Sequence, residues 1–546
     1  MTAIDLPPGV AISDKAILGD IQGNILRGYN MRFVRHVVVR VANQSAARAA
    51  IAAVLDGSDG TPQLTTAEVW EQGTKPPSCL NIGVTAAGLR ALGLREEWLA
   101  TFPDEFIQGA VRRAEKVGDV DCSAPEHWRD GLGDPDRVHL MWTIHALDSC
   151  DALDRAVTQL EAAWKRSGAF TVTARLDGAT LDTYTHDPAD RDTVHFGYRD
   201  SISQPRFVVD GEYAGRADSQ PIASVGSVLL GRIHTDGAAD VPAEHYRTSF
   251  PGVAWQMPEA NEGSRRIELG VNGCFNAFRV LEQDVHEFEE FLETAAHQIN
   301  EELDRRRNAG EPAGPADIVW DKERVAAKLM GRWRNGVPLS LSHWTKGVSS
   351  ESTFPGPGSP PPMDPETLND FDYPDNVAEL DDFSGVHCPM GSHIRRANPR
   401  GARIVQRSAN YTRPLVRRGM PYGPPYDPAQ PHDGHRRGLL GNFMCASLVA
   451  QYEAVMYDWI NLGLQDPRVT GTNDPIIGAN DPNTSRFEIP LPDAEPVVLT
   501  GFGRFTETAG AIYLFCPSVS ALRFLADPSR VDVGLQAPRL DTPRRR

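Results

Sequence analysis

The sequence predicts an α+β fold made of two similar halves, each an antiparallel sheet with helices packed on one face. Three observations lead to this prediction. Strands rich in β-branched residues are followed by long amphipathic helices, and the same order appears in both halves of the chain. The chain has 546 residues, whereas single cores stop growing near ~250–300 residues. We therefore expect two domains, residues 1–215 and residues 216–546.

The first half carries two strand–helix units. RHVVVRVAN (35–43) has the β-branched composition of a strand, and the alanine-rich QSAARAAIAAVLDG that follows predicts a helix. VHLMWTIHAL (138–147) alternates large apolar residues with smaller ones, as a half-buried strand does. In the next segment apolar residues recur every three or four positions, which predicts a helix with Trp164 in the core, as Trp142 is in the strand.

The second half repeats this order. NGCFNAFRVLEQ (272–283) predicts a strand that leads into a helix, and AIYLFCPSVSALRFLA (511–526) predicts another strand and helix. Three segments are so rich in proline and glycine that we expect loops: 310–316, 354–365 and 420–435. The acidic cluster at 372–382 is typical of a solvated surface.

Charge and cysteine content limit the functional classes. With 73 acidic and 55 basic side chains the net charge is −18, which argues against a nucleic-acid partner. The seven cysteines are scattered and form no CxxC pair, so neither a disulfide framework nor a cysteine zinc site is expected. The first twenty residues do not resemble a signal peptide and no apolar stretch is long enough to cross a membrane. We therefore expect a cytoplasmic protein with no membrane partner, with export by an unconventional route as the alternative.

Common catalytic motifs are missing, including Walker A, GxGxxG, HExxH, GxSxG and the CxxCH that attaches haem covalently. His432 and His435 have a spacing that could bind a metal, but they lie in a Pro/Gly loop without a third ligand nearby. Three other segments together supply a histidine, a carboxylate and arginines. They are HFGYRDSISQPRF (195–207), CPMGSHIRRANPRG (388–401) and RPLVRRGMPYG.

With these three segments the chain resembles the dye-decolorising (DyP-type) haem peroxidases, and in particular the larger members of that family. The resemblance extends in the same order through GDIQGNILRGY (19–29), GYRDSISQP, FRVLEQDVHEFEEFL, KLMGRWRNGVPL, CPMGSHIRRANPR, RRGMPYG and YLFCPSVSALR. It implies two ferredoxin-like domains, with a non-covalent haem b between loops and the C-terminal domain. It also implies hydrogen peroxide as oxidant and small organic molecules as reductants.

The resemblance assigns roles to individual residues. His393 matches the proximal ligand of the haem iron, Asp200 the distal acid, and Arg417 the distal arginine. The family positions that line the haem correspond to Ser201, Ile202, Ser203, Asn398, Pro399 and Arg400.

These residue types suit peroxide chemistry. A neutral imidazole can hold iron on one side and leave the other side open. A distal carboxylate can move a proton between the two peroxide oxygens, and a fixed positive charge can stabilise the departing oxygen. The chain departs from the family where Ser201 replaces the usual glycine, which costs about 1 kcal/mol if that position has a positive φ.

Several questions stay open at the level of sequence. Two alternative functions remain: a haem carrier or sensor with weak peroxidase activity, and a scaffold that has lost haem. Glu453 and Ser447 are candidate partners of the proximal histidine, and Tyr422 and Tyr426 are candidate exposed electron relays. The natural reductant and the oligomeric state cannot be predicted. Against the acidic composition, four arginines are expected to form a positive patch for propionates and peroxide, namely 395, 396, 400 and 417.

Overall fold

The computed structural model describes residues 15–71, 73–205, 207, 223, 225–231, 269–316, 318, 320–342, 368–373, 381–401 and 413–527. The expected domain boundary near 215 and the expected loop 354–365 lie outside these residues, and the boundary stays a prediction.

The N-terminal half is a four-stranded antiparallel sheet in the order β4-β1-β3-β2. The strands are β1 (Phe33–Val41), β2 (Ser78–Val84), β3 (Leu140–Ala146) and β4 (Phe170–Ala179). Two helices pack on its outer face, α3 (Gln44–Asp56) and α7 (Cys150–Ser167). Asn43 and Ser149 cap these helices through their side-chain oxygens. Trp142 and Trp164 are buried against each other in this core, as predicted.

The C-terminal half repeats the same strand order as β11-β5-β8-β6, again antiparallel, with β7 also paired to β8. The strands are β5 (Cys274–Gln283), β6 (Val416–Arg417), β7 (Met420–Tyr422), β8 (Gly438–Cys445) and β11 (Thr506–Cys516). Helix α9 (Val285–Ala309) follows β5, and a π-helical segment in two parts (Leu448–Glu453 and Val455–Asn461) follows β8. Both halves are therefore ferredoxin-like, as expected.

The two half-sheets are continuous, because Phe515 of β11 pairs with Val84 of β2. Their inner faces pack on each other through apolar side chains of β1, β3, β5, β8 and β11. Helices pack on both outer faces: α3 and α7 on the N-terminal sheet, and the π-helical segment together with residues 104–113 on the C-terminal sheet. The outer face of the C-terminal sheet is the one that carries the cavity described below.

The remaining elements are short or peripheral. They are the helices α1 (Lys15–Asp20), α2 (Gly23–Leu26), α4 (Ala86–Ala91), α5 (Glu96–Leu99), α6 (Asp104–Arg113), α8 (Asp182–Thr185), α10 (Lys322–Met330), α11 (His393–Ala397) and α12 (Val519–Ala526), and the hairpin β9 (Arg486–Leu491) and β10 (Ala494–Thr500). In the part of the chain described, no helix is long and apolar enough to span a membrane.

Two local predictions are wrong. Residues 420–422, expected to be loop, form β7, because their backbone pairs with β8 despite Pro421. Of the acidic cluster 372–382, residues 374–380 lie outside the described residues and Asp381 is exposed, as expected. Asp382 is instead fully buried, where it accepts hydrogen bonds from the backbone of His387 and Cys388 and from the Arg395 guanidinium. Segment 310–316 contains no helix or strand, as expected. The backbone N–H groups of Gly310 and Glu311 donate to carbonyls in the last turn of α9.

Candidate functional site

A cavity of about 400 Å³ lies over the outer face of the C-terminal sheet. This volume falls in the range of cofactor and ligand sites. Strands β5, β8 and β11 form its floor, while α11, the π-helical segment and the loops 194–205 and 474–477 form its walls. Asp200 and His393, the distal and proximal residues predicted from sequence, both line this cavity.

His393 is the first residue of α11 and lines the cavity. The turn before it is anchored on α10, because Ser392 Oγ donates to the Lys328 carbonyl (2.5 Å). Lys328 Nζ in turn donates to the carbonyls of Val386 and His387, at 2.9 and 2.7 Å. Burial lowers the pKa of Lys328 to about 7, because a charged ammonium group is less stable inside the protein than in water.

The Nδ1 atom of His393 lies 3.0 Å from Asp474 Oδ2. Asp474 is fully buried, and its other oxygen accepts from the backbone N–H groups of Ile476 (2.8 Å) and Ile477 (3.0 Å). An ionised carboxylate at this distance requires Nδ1 to carry a proton, and in the neutral imidazole this leaves the Nε2 lone pair free. Nε2 has no hydrogen-bond partner among the described residues, and this tautomer is the one that metal-binding histidines use.

Burial alone would raise the pKa of Asp474. The charge and hydrogen bond of His393, the charge of Arg396 and the backbone N–H groups outweigh burial, so the pKa lies below its usual value. Arg396 also fastens the surrounding segments together. Its guanidinium donates to the carbonyls of Gly391 (3.0 Å), Trp459 (3.2 Å) and Thr472 (2.9 Å). It therefore links α11, the π-helical segment and the loop that carries Asp474.

On the other side of the cavity, Asp200 ends a tight turn. Gly197 adopts φ +81° and its N–H donates to the Val194 carbonyl (2.7 Å), while Phe196 and Tyr198 on either side are buried in the core. The backbone N–H of Asp200 donates to the Asp192 carbonyl (2.7 Å). The next residue, Ser201, is exposed with φ +61°, so the conformational cost expected for replacing glycine applies here.

Arg417 lies in β6, opposite Phe443 of β8, and both line the cavity. The Gln204 amide holds the backbone of Arg417 in both directions: Arg417 N–H donates to Gln204 Oε1 and Gln204 Nε2 donates to the Arg417 carbonyl, each at 3.1 Å. The Arg417 guanidinium donates to the carbonyl of Ser203. Gln204 thus joins the Asp200 segment to the strand that carries Arg417.

Arg332 adds a second guanidinium to the cavity wall. It is buried and donates to the carbonyls of Gly336 (3.0 Å) and Leu368 (2.6 Å), and it has no carboxylate partner in the described part of the chain. Burial, followed by the nearby charges of Arg400 and Arg417, lowers the pKa of Arg332 to about 9. Positive charge that lacks a carboxylate partner suits an acidic group on a cofactor, such as a haem propionate.

The residues fit haem in three respects: the hydrogen-bonded Nδ1 of His393, the positive charges of Arg332 and Arg417, which have no carboxylate partner among the described residues, and a cavity wall rich in apolar side chains. Six of the sequence-predicted residues line the cavity, namely Asp200, Ile202, Ser203, His393, Asn398 and Arg417. Ser201, Pro399 and Arg400 do not line it. Arg400 donates to the carbonyls of Asn369 (3.2 Å) and Phe371 and to Asn369 Oδ1 (2.6 Å), and its role toward haem stays a prediction.

Arg395 and Arg396 do not join the positive patch expected from sequence, because both are buried and bonded away from the cavity. Glu453 and Ser447 do not contact His393. Glu453 pairs with Arg113 and accepts from Tyr513, and Ser447 caps the π-helical segment.

The residues proposed from sequence for electron relay and metal binding do not line the cavity. Tyr422 and Tyr426 are half-buried, and Tyr426 lies within hydrogen-bond distance of His286 Nδ1 (3.1 Å). His432 and His435 are exposed, and no cluster of three metal-binding side chains occurs among the described residues.

Three residues of the site were missed from sequence: Asp474, Arg332 and Gln204. Asp474 is separated from His393 by 81 residues, so spacing carries no signal. Arg332 lies in KLMGRWRNG and Gln204 in DSISQP, both within the segments that carry the family resemblance, but neither residue type alone indicates its role.

Comparison with known proteins finds similar peroxidases, although no family model matches the sequence. "Peroxidase 2" of Mycetinis scorodonius is 27% identical over 545 residues, which cover 95% of this chain and 90% of that protein. A "Dye-decolorizing peroxidase" of Exidia glandulosa is 25% identical over 92% of this chain and 86% of its own length. The "Multifunctional dye peroxidase DyP2" of an Amycolatopsis strain is 27% identical over 82% of each chain.

Solved structures share the fold. A fungal DyP-type peroxidase from Auricularia auricula-judae superposes with a TM-score of 0.68, at 22% identity, over 93% of this chain and 99% of its own. Over most of its length the chain is similar in sequence to dye-decolorising peroxidases and shares the fold of their solved structures, which supports the resemblance to the DyP-type haem peroxidase family.

Proposed function

We propose that this protein is a haem-dependent peroxidase that reduces hydrogen peroxide and oxidises small organic molecules such as dyes and phenols. The observation that carries the proposal is the His393–Asp474 pair, which holds Nδ1 of His393 and leaves its Nε2 available, in a cavity that Asp200 and Arg417 also line. The cofactor would be non-covalent haem b, since the chain has no CxxCH motif for covalent attachment. Bound haem would supply the iron that exchanges electrons with peroxide and then with the reductant.

The protein residues have separate tasks in this proposal. His393 would hold the iron through Nε2, and Asp474 keeps the proton on Nδ1 and makes the imidazole a stronger donor. Asp474 keeps its position because two backbone N–H groups hold its other oxygen. Arg332 would bind a propionate.

On the Asp200 side of the cavity, a carboxylate oxygen of Asp200 would accept a proton from one oxygen of hydrogen peroxide. It would then give this proton to the other oxygen, which leaves as water when the O–O bond breaks. The Arg417 guanidinium stabilises negative charge on the departing oxygen. Gln204 keeps the strand of Arg417 and the Asp200 segment at a constant separation.

Stopped-flow mixing of the haem-loaded protein with hydrogen peroxide tests this proposal. Asp200→Ala and Arg417→Ala should each slow the reaction with peroxide by at least ~100-fold, the range for loss of a proton-transfer or charge-stabilising group, while the Soret absorption stays intact. A haem carrier or sensor, by contrast, would bleach without turnover. Unchanged rates in both variants would contradict the roles of Asp200 and Arg417.

A further inference from the structure

A second pocket, of about 490 Å³, lies beside the segment that leads to Asp200. We call it the side pocket. It shares only Val194 with the cavity described above, and the residues that follow alternate between the two. The side pocket is lined by His195 and Gly197, and the cavity by Phe196 and Tyr198. The side pocket is therefore a separate place, and its volume falls in the range of ligand sites.

The side pocket is lined by four carboxylates and two cationic side chains. Both cations are already paired. Lys322 Nζ lies 3.2 Å from a carboxylate oxygen of Glu289 and 3.1 Å from one of Glu293. The Arg334 guanidinium pairs with Glu289 and Glu323. These pairs leave no cation over for the other two carboxylates of the lining.

Those two carboxylates are Asp190 and Glu290. The Asp190 carboxylate has no ion pair or side-chain hydrogen bond among the described residues. Glu290 has only His286 Nε2 nearby, at 3.5 Å, and this contact is an ion pair only when His286 is protonated. The side pocket therefore carries an excess of negative charge, which favours a cationic ligand.

His195 adds a hydrogen-bond acceptor to the lining, where it is 7% exposed. Its Nε2 donates to the Tyr422 carbonyl (2.8 Å), and burial lowers the pKa of His195 to about 4, so the imidazole is neutral at pH 7 and Nδ1 carries a lone pair. Nδ1 has no hydrogen-bond partner among the described residues. Because a buried acceptor without a donor destabilises the fold, Nδ1 points to a ligand that donates a hydrogen bond.

Apolar and aromatic side chains form another part of the lining. The ring of Tyr426 stacks on that of His286 with centroids 6.2 Å apart, and an aromatic face attracts a cation. The described residues contain no group of three His, Cys, Asp or Glu side chains that could hold a metal ion. The cation expected here is therefore organic, with an apolar part. The apolar residues that could contact it are Leu181, Val285, Pro425 and Pro428.

We propose that the side pocket binds a small organic cation with a primary ammonium group and a short apolar body. The ammonium group donates to His195 Nδ1, and Asp190 and Glu290 supply the opposite charge. The apolar body packs on Tyr426 and the prolines beside it. A quaternary ammonium ion has the charge but lacks the N–H that Nδ1 requires. The proposal does not depend on the proposed function, because it involves no reaction with peroxide.

Calorimetric titration of the haem-loaded protein with benzylamine, at pH 7 and without peroxide, tests the charge of the side pocket. Asp190→Asn and Glu290→Gln each remove one negative charge with little change of shape. Each should raise the Kd of benzylamine about 2- to 5-fold, and the double variant about 4- to 25-fold. Glu301→Gln is the matched control, since Glu301 is exposed on the same helix as Glu290 but lies outside the side pocket, and it should leave the Kd unchanged.

Benzyltrimethylammonium tests the hydrogen bond to His195, because it keeps the ring and the charge but has no N–H group. It should bind the unchanged protein about ten-fold more weakly than benzylamine, the range for loss of a hydrogen bond to a charged group. The Soret band should not change during the titration with benzylamine, because the side pocket is separate from the cavity.

Four results would overturn the proposal. They are no heat of binding with benzylamine, an equal Kd in the double variant, an equal Kd for the two cations, and a Soret change that shows benzylamine binding in the cavity instead. None of these measurements uses the reaction with peroxide. The side pocket and the proposed function can therefore fail independently of each other.

Discussion

Replacing Asp474 with Asn tests the His393 tautomer, because the amide cannot satisfy all of its neighbours at once. Asp474 Oδ1 accepts from the N–H groups of Ile476 and Ile477, and Oδ2 faces His393 Nδ1 at 3.0 Å. If the Asn oxygen keeps the two backbone bonds, its NH₂ group faces Nδ1. The imidazole must then move its proton to Nε2, which removes the lone pair needed for the iron.

The alternative is an amide flip that keeps Nε2 unprotonated but leaves two backbone N–H groups without their acceptor. Each neutral hydrogen bond contributes about 0.5–1.5 kcal/mol, so the flip costs about 1–3 kcal/mol. At 1.4 kcal/mol for each factor of ten, we expect Asp474→Asn to weaken haem binding by about 5- to 150-fold.

The assay is haem transfer from the loaded protein to an excess of apomyoglobin, followed by the loss of the Soret band. Asp466→Asn is the control, since Asp466 is a buried carboxylate of a nearby loop that pairs with Arg468 and does not contact His393. Equal haem affinity in Asp474→Asn and the unchanged protein would refute the assigned tautomer.

Three further predictions follow from contacts around the site. Gln204→Leu removes both hydrogen bonds to the Arg417 backbone, so stopped flow should show a slower reaction with peroxide while haem stays bound; an unchanged rate would contradict the role of Gln204. Ser201→Gly relieves φ +61° and should raise the free energy of unfolding in urea by about 0.5–1 kcal/mol, whereas a decrease would show that the serine hydroxyl is needed. Lys328 has a folded-state pKa of about 7, below the ~10.4 of the unfolded chain, so the unfolded state binds more protons between these values. The free energy of unfolding should therefore rise with pH in this window, by up to ~1.4 kcal/mol per pH unit, relative to Lys328→Met; parallel pH profiles of the two proteins would contradict the shifted pKa.

The main strands and helices could be predicted from sequence because their signals are local. The three- to four-residue spacing around Trp164 reflects burial on one side of α7. Strand β3 was correctly expected in VHLMWTIHAL, but it is buried on both faces and not half-buried, because the two sheets pack on each other. Strand β7 could not be predicted, since a proline-rich segment forms a strand here only through pairing with β8. The continuity of the two half-sheets likewise depends on one long-range pair, Phe515 and Val84.

The residues of the site also differ in whether a local sequence signal or a long-range contact reveals them. His393, Asp200 and Arg417 lie in segments that resemble a known family, and the structure brings them to one cavity. Asp474 could not be found, because its role arises from a contact across 81 residues. The consecutive arginines 395 and 396 were expected to face a cofactor, but a short helix directs them to different buried acceptors, Asp382 and the carbonyl of Thr472.

The absorption spectrum of the purified protein and of His393→Gly tests the central claim that His393 holds haem through Nε2. The unchanged protein should show a Soret band with bound haem, and His393→Gly should lose most of it, because the iron loses its only proposed protein ligand. Adding free imidazole to His393→Gly should restore the band, while His286→Ala, which replaces a histidine outside the cavity, should resemble the unchanged protein. A full Soret band in His393→Gly without imidazole would contradict the claim.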